Sequence, residues 1–325
     1  MKKQMLKDLR VGDEVETQAL VIEANLTPFS SPHRAGEYFL KVTLGDVSGR
    51  VKAVMWDPPS ESEAVQQDDV VFVRGSVSDY HGPQVVVSDM RKLDHAKVNR
   101  AFFQTVSGRD PAEMKAELEA VIAEVQDINL KSLLEAFFAD GEFTRLYTTA
   151  PAARTIHHNC VGGLLEHTLE VIAICRKLVE LYPQQIQLDL LLTGAILHDI
   201  GKIEEYRQDS ISFDFTDRGK LVGHISIGKE MFDRKLAALS DFPPDLKLEL
   251  EHMMLTHHGM REWGSPEVPK TIHAFALFHA DLVSARMNQF VKIMERHVPE
   301  SGDWTEWDRF LERSIYIRPT GEQDY

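Results

Sequence analysis

Leu188-Asp189-Leu190-Leu191-Leu192-Thr193-Gly194-Ala195-Ile196-Leu197-His198-Asp199-Ile200-Gly201-Lys202 is almost wholly apolar until it reaches His198 and Asp199. The run is shorter than the roughly 20 residues that cross a bilayer, so it reads as a buried helix with an imidazole and a carboxylate at its end. An ionised carboxylate is costly to bury unless it is paired or coordinated. Neighbouring residues on a helix point about 100° apart, so His198 and Asp199 can address different sides of one centre.

Working outward, the same signature recurs on other segments. His167 sits among leucines in Gly163-Leu164-Leu165-Glu166-His167-Thr168-Leu169. His224 falls between Leu221 and Ile225, on what reads as one helical turn. His257-His258-Gly259 closes a stretch carrying Leu250, Met253 and Met254. Asp281 shares the helical face of Ala274, Leu277, Phe278 and Ala285. Eleven of the 14 histidines lie between His157 and His297, where an even spread would put about six. One inward histidine is most often a satisfied core residue. Five segments that each turn imidazole or carboxylate inward supply five His and two Asp, enough for two divalent cations. Asp can bridge two metals through its two oxygens.

The N-terminal region has a different period. Strand-like runs cover Val15–Leu26, Tyr38–Leu44, Arg50–Trp56, Val70–Val77 and Gln84–Val87, with turns at Asp46-Val47-Ser48-Gly49 and Gly82-Pro83. Five short strands in about 80 residues predict a small closed barrel of the OB kind. After residue 95 the spacing becomes helical. Asp110-Pro111-Ala112-Glu113 reads as a helix start, followed by an apolar stripe of Met114, Leu118, Val121, Ile122 and Val125, and Gly141 reads as the end of the next helix. The expected class is multidomain: an N-terminal all-β OB-fold barrel (1–90), a helical linker region (91–150), an all-α domain (151–300) and a C-terminal extension (301–325) containing Trp304 and Trp307.

The 325 residues are 43% hydrophobic and 27% charged, which excludes a disordered chain and gives enough length to bury a core. With 36 Lys and Arg against 51 Asp and Glu, the formal net charge is −15. That argues against a polybasic membrane or histone-like binder. It leaves room for a nucleic-acid enzyme whose bound cations supply local positive potential. Cys160 and Cys175 fit no zinc module and make no disulfide framework. Without a signal-like apolar segment near the N-terminus, the expectation is a cytoplasmic protein with no membrane partner.

The order His…His-Asp…His…His-His…Asp resembles the HD-domain metal-dependent phosphohydrolases. Gly162-Gly163-Leu164-Leu165-Glu166-His167-Thr168, Leu197-His198-Asp199-Ile200-Gly201-Lys202, His257-His258-Gly259 and Gly264-Ser265-Pro266 further resemble the YhaM family of 3′→5′ exoribonucleases, which join an OB domain to an HD domain. One departure is His273-Ala274, where the family carries Glu-Ala. The resemblance implies that His167, His198, Asp199 and Asp281 hold one metal, and that Asp199 bridges to a second held by His224, His257 and His258. A pair of cations can activate water and clamp a phosphodiester. Mixed N/O donors suit manganese, iron, cobalt or nickel better than magnesium, and among these the resemblance implies manganese.

Asp199 and Lys202 are the catalytic candidates. Lys202 either stabilises charge on the phosphoryl oxygens or is a solvated lysine at a helix end. His157 and His158 are candidates for phosphate or leaving-group contact. In the barrel, Phe29, Tyr38 and Trp56 with Lys52 suit stacking and backbone contact with a single strand. The expected activity is hydrolysis of single-stranded RNA, with single-stranded DNA and a homo-oligomeric state left open. Two competing readings are an HD phosphohydrolase of small nucleotides and a non-catalytic single-strand binder. The HD-GYP subclass is disfavoured because no Gly-Tyr-Pro follows His257-His258.

Overall fold

A computed structural model describes residues 4–58, 65–80, 82–94, 98–99, 102–103, 107–153, 160–207, 213–296, 302–309 and 311–317. The chain divides into two compact units. Residues 1–106 with 207–214 form one, and residues 107–206 with 215–325 form the other.

The first unit is a closed barrel of β1 (Glu14–Pro28), β2 (Tyr38–Asp46), β3 (Gly49–Met55), β4 (Val70–Asp79) and β5 (Pro83–Lys92), in the order β1-β2-β3-β5-β4. Only the β3–β5 pairing is parallel. Alternation along the strands turns Val15, Val42, Leu44, Val71, Val73 and Val85 inward, as a two-residue side-chain period requires. The β2–β3 turn is fixed by Asp46. Its Oδ1 accepts from the Ser48 and Gly49 amides at 2.7 and 3.2 Å, and its Oδ2 accepts from Leu6 at 3.0 Å. This is the OB barrel that the strand spacing predicts.

The second unit is helical: α1 (Pro111–Glu124), α2 (Ile128–Phe138), α3 (Gly141–Thr149), α4 (Gly163–Leu181), α5 (Leu188–Leu197), α6 (Lys202–Glu205), α7 (Asp217–Val222), α8 (His224–Leu236), α9 (Pro244–Thr256) and α10 (Ile272–Arg296). Asp110, Asp127 and Asp140 cap the first three, each side chain accepting two backbone N–H groups. Gly141 therefore opens α3 and does not close α2, as its glycine character suggested; the Asp140 cap decides the boundary. The region expected to link two domains is not a separate linker from Ser107 onward. Met114, Leu118, Leu133, Phe137 and Tyr147 join Leu165, Leu191, Ile196 and Leu277 in one core.

Helix α5 runs through the middle of this core, with Leu190 to Leu197 all buried. It packs against α4, α9 and α10. That position delivers His198 and Asp199 to the interior. The Tyr147 hydroxyl, fully buried, lies 2.9 Å from both Thr168 Oγ1 and the Ile196 carbonyl, so α3 ties α4 to α5 beside the donors that follow. Both cysteines are buried, which pushes the Cys160 thiol up to about 11 and the Cys175 thiol up to about 12. In the C-terminal extension, Trp304 bridges to Tyr316, and Asp308 accepts from Gln289 of α10 at 3.1 Å. Among the described residues, no helix is long and apolar enough to cross a membrane.

Gly201 lies where the end of α5 meets the start of α8. A Cβ there would sit 2.0 Å from the His224 carbonyl oxygen and 2.6 Å from the Gly228 amide nitrogen. Both are backbone atoms and cannot swing aside. Gly201→Ala is expected to cost about 1–3 kcal/mol, read as a lower urea midpoint at unchanged m-value. An unaltered midpoint would contradict this packing.

Candidate metal centre

Each donor comes from the end or inner face of a helix. His167 is on α4, His198 caps α5 and Asp199 follows it. His224 is the first residue of α8, His257 and His258 follow α9, and Asp281 lies on α10. His224 does not share a helical turn with Leu221, as the spacing suggested. Gly223, at φ +75°, ends α7, so a new helix begins at His224 while Leu221 stays 85% exposed.

The structure brings all seven donors together. His167, His198 and Asp199 offer ligand atoms within 4.8 Å of one another, and so do His224, His257 and His258. Asp281 Oδ1 stands 3.1 Å from His167 Nε2. Asp199 spans the two groups. Its Oδ2 lies 3.2 Å from His198 Nε2 and 3.7 Å from His167 Nε2, while its Oδ1 lies 3.5 Å from Nε2 of both His224 and His257.

The outer ring nitrogens are already engaged. Nδ1 of His198 bonds the Ala195 carbonyl and Nδ1 of His257 bonds the Met254 carbonyl, both at 2.7 Å. His258 Nδ1 bonds the Trp263 carbonyl at 3.0 Å. His224 Nδ1 and its backbone amide both reach Glu205 Oε1, at 3.0 and 2.9 Å. His167 Nδ1 meets Ser284 Oγ at 3.0 Å, and Ser284 donates on to Glu170 at 2.7 Å. With Nδ1 carrying the proton, each Nε2 lone pair faces inward, the arrangement of metal-ligating histidines. Among the described residues, buried atoms without a hydrogen-bond partner include Nε2 of His198, His224 and His257 and Oδ1 of Asp199. Orphaned buried acceptors of this kind are rare, and four aimed into one space fit a divalent-cation centre.

The electrostatics of His257 and His258 agree with that fit. Burial pushes the His257 imidazole below its usual range and His258 down to about 3, with the neighbouring rings adding to the effect on His258. Both are therefore neutral near pH 7, as ligands must be. Burial opposes the charge of Asp199, but the Lys202 ammonium and the His198 ring outweigh it and hold the carboxyl well below its usual range. Burial likewise opposes the charge of Asp281, and His167 outweighs it. Burial works against a charged His198, yet adjacent Asp199 raises it overall.

Lys202 is no solvated lysine. It is 6% exposed, with Nζ 2.6 Å from Asp199 Oδ2. His157 and His158 lie outside the described residues. His273 is not a neighbour of the donors: its Nε2 accepts from the Gln187 amide at 3.0 Å and its Nδ1 meets Glu249 at 3.1 Å, so it latches α10 to α9 and to the start of α5. His252 accepts from the Lys270 amide at 2.8 Å.

Sequence reading missed Glu205, Ser284, Glu170 and Tyr147. For Glu205 the sequence offers only its place three residues after Lys202; its burial appears in the fold. The other three act through contacts 21 or more residues away, which no local pattern carries.

On the barrel, Phe29, Phe39 and Trp56 form one aromatic group, with ring centroids 4.9, 5.1 and 6.0 Å apart. The Arg34 guanidinium lies 3.7 Å over Phe29. A cavity of about 320 Å³ is lined by Leu26, Arg34, Glu37, Tyr38, Trp56 and Asp57. Tyr38 and Trp56 are half exposed, and Lys52 is exposed on β3, opposite Thr43 of β2.

Two domain families match the chain: an OB-fold nucleic acid binding domain over residues 15–93 and the HD domain over residues 164–286. The chain is 31% identical to the 3′-5′ exoribonuclease YhaM of Listeria monocytogenes, over 99% of this chain and 100% of that protein. It is 32% identical to the protein of that name from Listeria welshimeri, over the same shares. For the Bacillus subtilis protein of that name the figures are 31% identity over 95% of this chain and 96% of its relative.

Proposed function

The chain belongs to the YhaM family of 3′-5′ exoribonucleases, and from that premise we propose that it removes nucleotides from the 3′ end of single-stranded RNA at a two-cation centre. His167, His198, Asp199 and Asp281 would hold one cation, and Asp199 with His224, His257 and His258 the other. The observation that carries this reading is the set of buried Nε2 and Oδ1 atoms around Asp199 that no donor or acceptor among the described residues satisfies. When bound, such cations neutralise the phosphodiester and lower the pKa of an attacking water. The mixed imidazole and carboxylate donors suit manganese, iron, cobalt or nickel better than magnesium, and the family resemblance favours manganese among them.

The chain's own residues supply the rest. Lys202 fixes Asp199 through Oδ2 and offers the remaining protons of its ammonium group to a phosphoryl oxygen. Glu205 and the Ser284–Glu170 pair hold the rings of His224 and His167 in the ligating tautomer. Phe29, Tyr38, Trp56 and Lys52 hold the strand upstream of the cut, which raises its local concentration at the centre.

The test is incubation with end-labelled single-stranded RNA and DNA, with and without manganese. A 5′ label should shorten stepwise, and a 3′ label should leave first as a mononucleotide, both only with metal. Internal cuts at early times, or equal turnover under chelation, would overturn the reading. Comparing RNA with DNA settles which strand is preferred. Trp56→Ala is expected to raise KM for a 20-mer about tenfold, since a stacked base is worth roughly 1–3 kcal/mol, and to leave a dinucleotide nearly unchanged. Equal loss on both substrates would remove the barrel from substrate holding.

A further inference from the structure

The donors are not equally sealed. The side chains of His167, His198, Asp199 and His257 are 0–3% exposed, whereas Asp281 is 16% and His224 13% exposed, and His258 is partly open. The mouth of the centre is therefore bounded by Asp281, His224 and His258, and substrate must arrive on that side. The loop leaving His258 is shaped to lie flat there. Gly259 adopts φ +76°, and a Cβ on it would stand 2.2 Å from the ring of Phe278, one turn before Asp281 on α10. Any side chain at 259 would push the loop away from Phe278 on α10.

Trp263 sits at the end of this loop, in the turn Arg261–Trp263. Its carbonyl accepts from His258 Nδ1 at 3.0 Å, and its amide donates to the Met260 carbonyl at 3.1 Å. Its ring centroid is 6.3 Å from that of Phe278. Ser265, 4% exposed, pins the following residues, with its Oγ 3.1 Å from the Leu255 carbonyl and 2.7 Å from the Glu267 carbonyl. The backbone is thus pinned, yet Trp263 is 44% exposed. Met260, on the same loop, and Val222, two residues before His224, are also about half exposed. A large aromatic face held in water beside a phosphodiester-cleaving centre is suited to a π-faced, uncharged partner.

Resting on the exoribonuclease reading, we propose that Trp263 is the stacking platform for the nucleobase of the 3′-terminal nucleotide. It would set that nucleotide's phosphodiester over the donors of Asp281 and His258. Because every base has a π-face, such a platform accepts any of the four, as an enzyme that trims successive nucleotides requires. Trp263 is then a positioning residue that also touches substrate, tied through its carbonyl to a metal-ligating ring.

The experiment compares kcat/KM on a 12-mer RNA with the same RNA whose 3′-terminal nucleotide is abasic, using the full-length manganese-loaded protein. Trp263→Ala is expected to lose about tenfold on the intact RNA and little on the abasic strand, and Trp263→Phe is expected to recover most of the loss. Manganese content of the variants should match that of the starting protein. Equal loss on both strands, or no loss on either, would overturn the proposal. If the starting protein degraded neither strand, the exoribonuclease reading would fall instead. The platform would still be judged by the fluorescence difference between the starting protein and Trp263→Phe on adding adenosine 5′-monophosphate with manganese. Quenching carried by Trp263 supports it, and its absence overturns it; this arm also serves if Trp263→Ala fails to fold.

Discussion

Asp199→Ala is expected to lower RNA hydrolysis by at least about a thousandfold, equivalent to roughly 4 kcal/mol of transition-state stabilisation. No other donor faces both ligand groups: Oδ2 points to His198 and His167, and Oδ1 to His224 and His257. Single-strand binding should survive, because the barrel has its own core. Removing the carboxylate also leaves the Lys202 ammonium buried without its 2.6 Å partner, which carries a stability cost of its own. Asp199→Asn, nearly isosteric, keeps an acceptor for Lys202 but loses the charge. It is expected to fall nearly as far in turnover as the alanine variant while unfolding at higher temperature. Turnover within tenfold of the starting protein, for either variant with manganese added, would remove Asp199 from the reaction.

Metal removal should have the second-largest effect, and it should be visible without substrate. Dialysis against a chelator is expected to bring hydrolysis to background, and manganese to restore it. The same step should lower thermal stability. A ligand that binds only the folded chain contributes about 4 kcal/mol at a thousand times its dissociation constant. For a unit of about 200 residues that corresponds to a fall in Tm on the order of 10 °C. The sign follows from the charges: without cations, the Asp199 and Asp281 carboxylates and the inward lone pairs of four buried nitrogens face one another. A chelated protein that melts where the loaded one does would mean that these donors hold no ion.

The two architectural classes, and the seven residues that the helical unit brings together, were legible because each leaves a periodic trace. Strands alternate every second residue between 14 and 92. On the helices, a polar residue on an apolar stripe stands out against its neighbours, as His198 and Asp199 do after Leu197. What the sequence hid is equally physical. Gly141 and Gly223 look alike on paper, yet Asp140 turns the first into a helix start, while positive φ makes the second a break between α7 and α8. The segment from 111 to 149 looked like a spacer because its stripe names no partner; only packing puts Phe137 and Tyr147 beside Leu165 and Ile196. Lys202 was undecidable from its neighbours, since a lysine after a helix end is usually wet, and its burial depends on reaching back to Asp199. Ser284 supports His167 from 117 positions away and reaches back 114 positions to Glu170, distances at which a single sequence carries no signal.

The supports of the imidazoles differ in kind, and that difference bears on how the family can diverge. His198 and His257 rest on main-chain oxygens three residues back in their own helices. Those anchors persist whatever side chain stands at 195 or 254, provided its bulk suits the interior. His224 and His167 depend instead on Glu205 and Ser284, where a single replacement frees the ring to rotate. Evolutionary drift should therefore pass easily through 195 and 254 and stall at 205 and 284, even though each of the four positions stands one hydrogen bond from a ring.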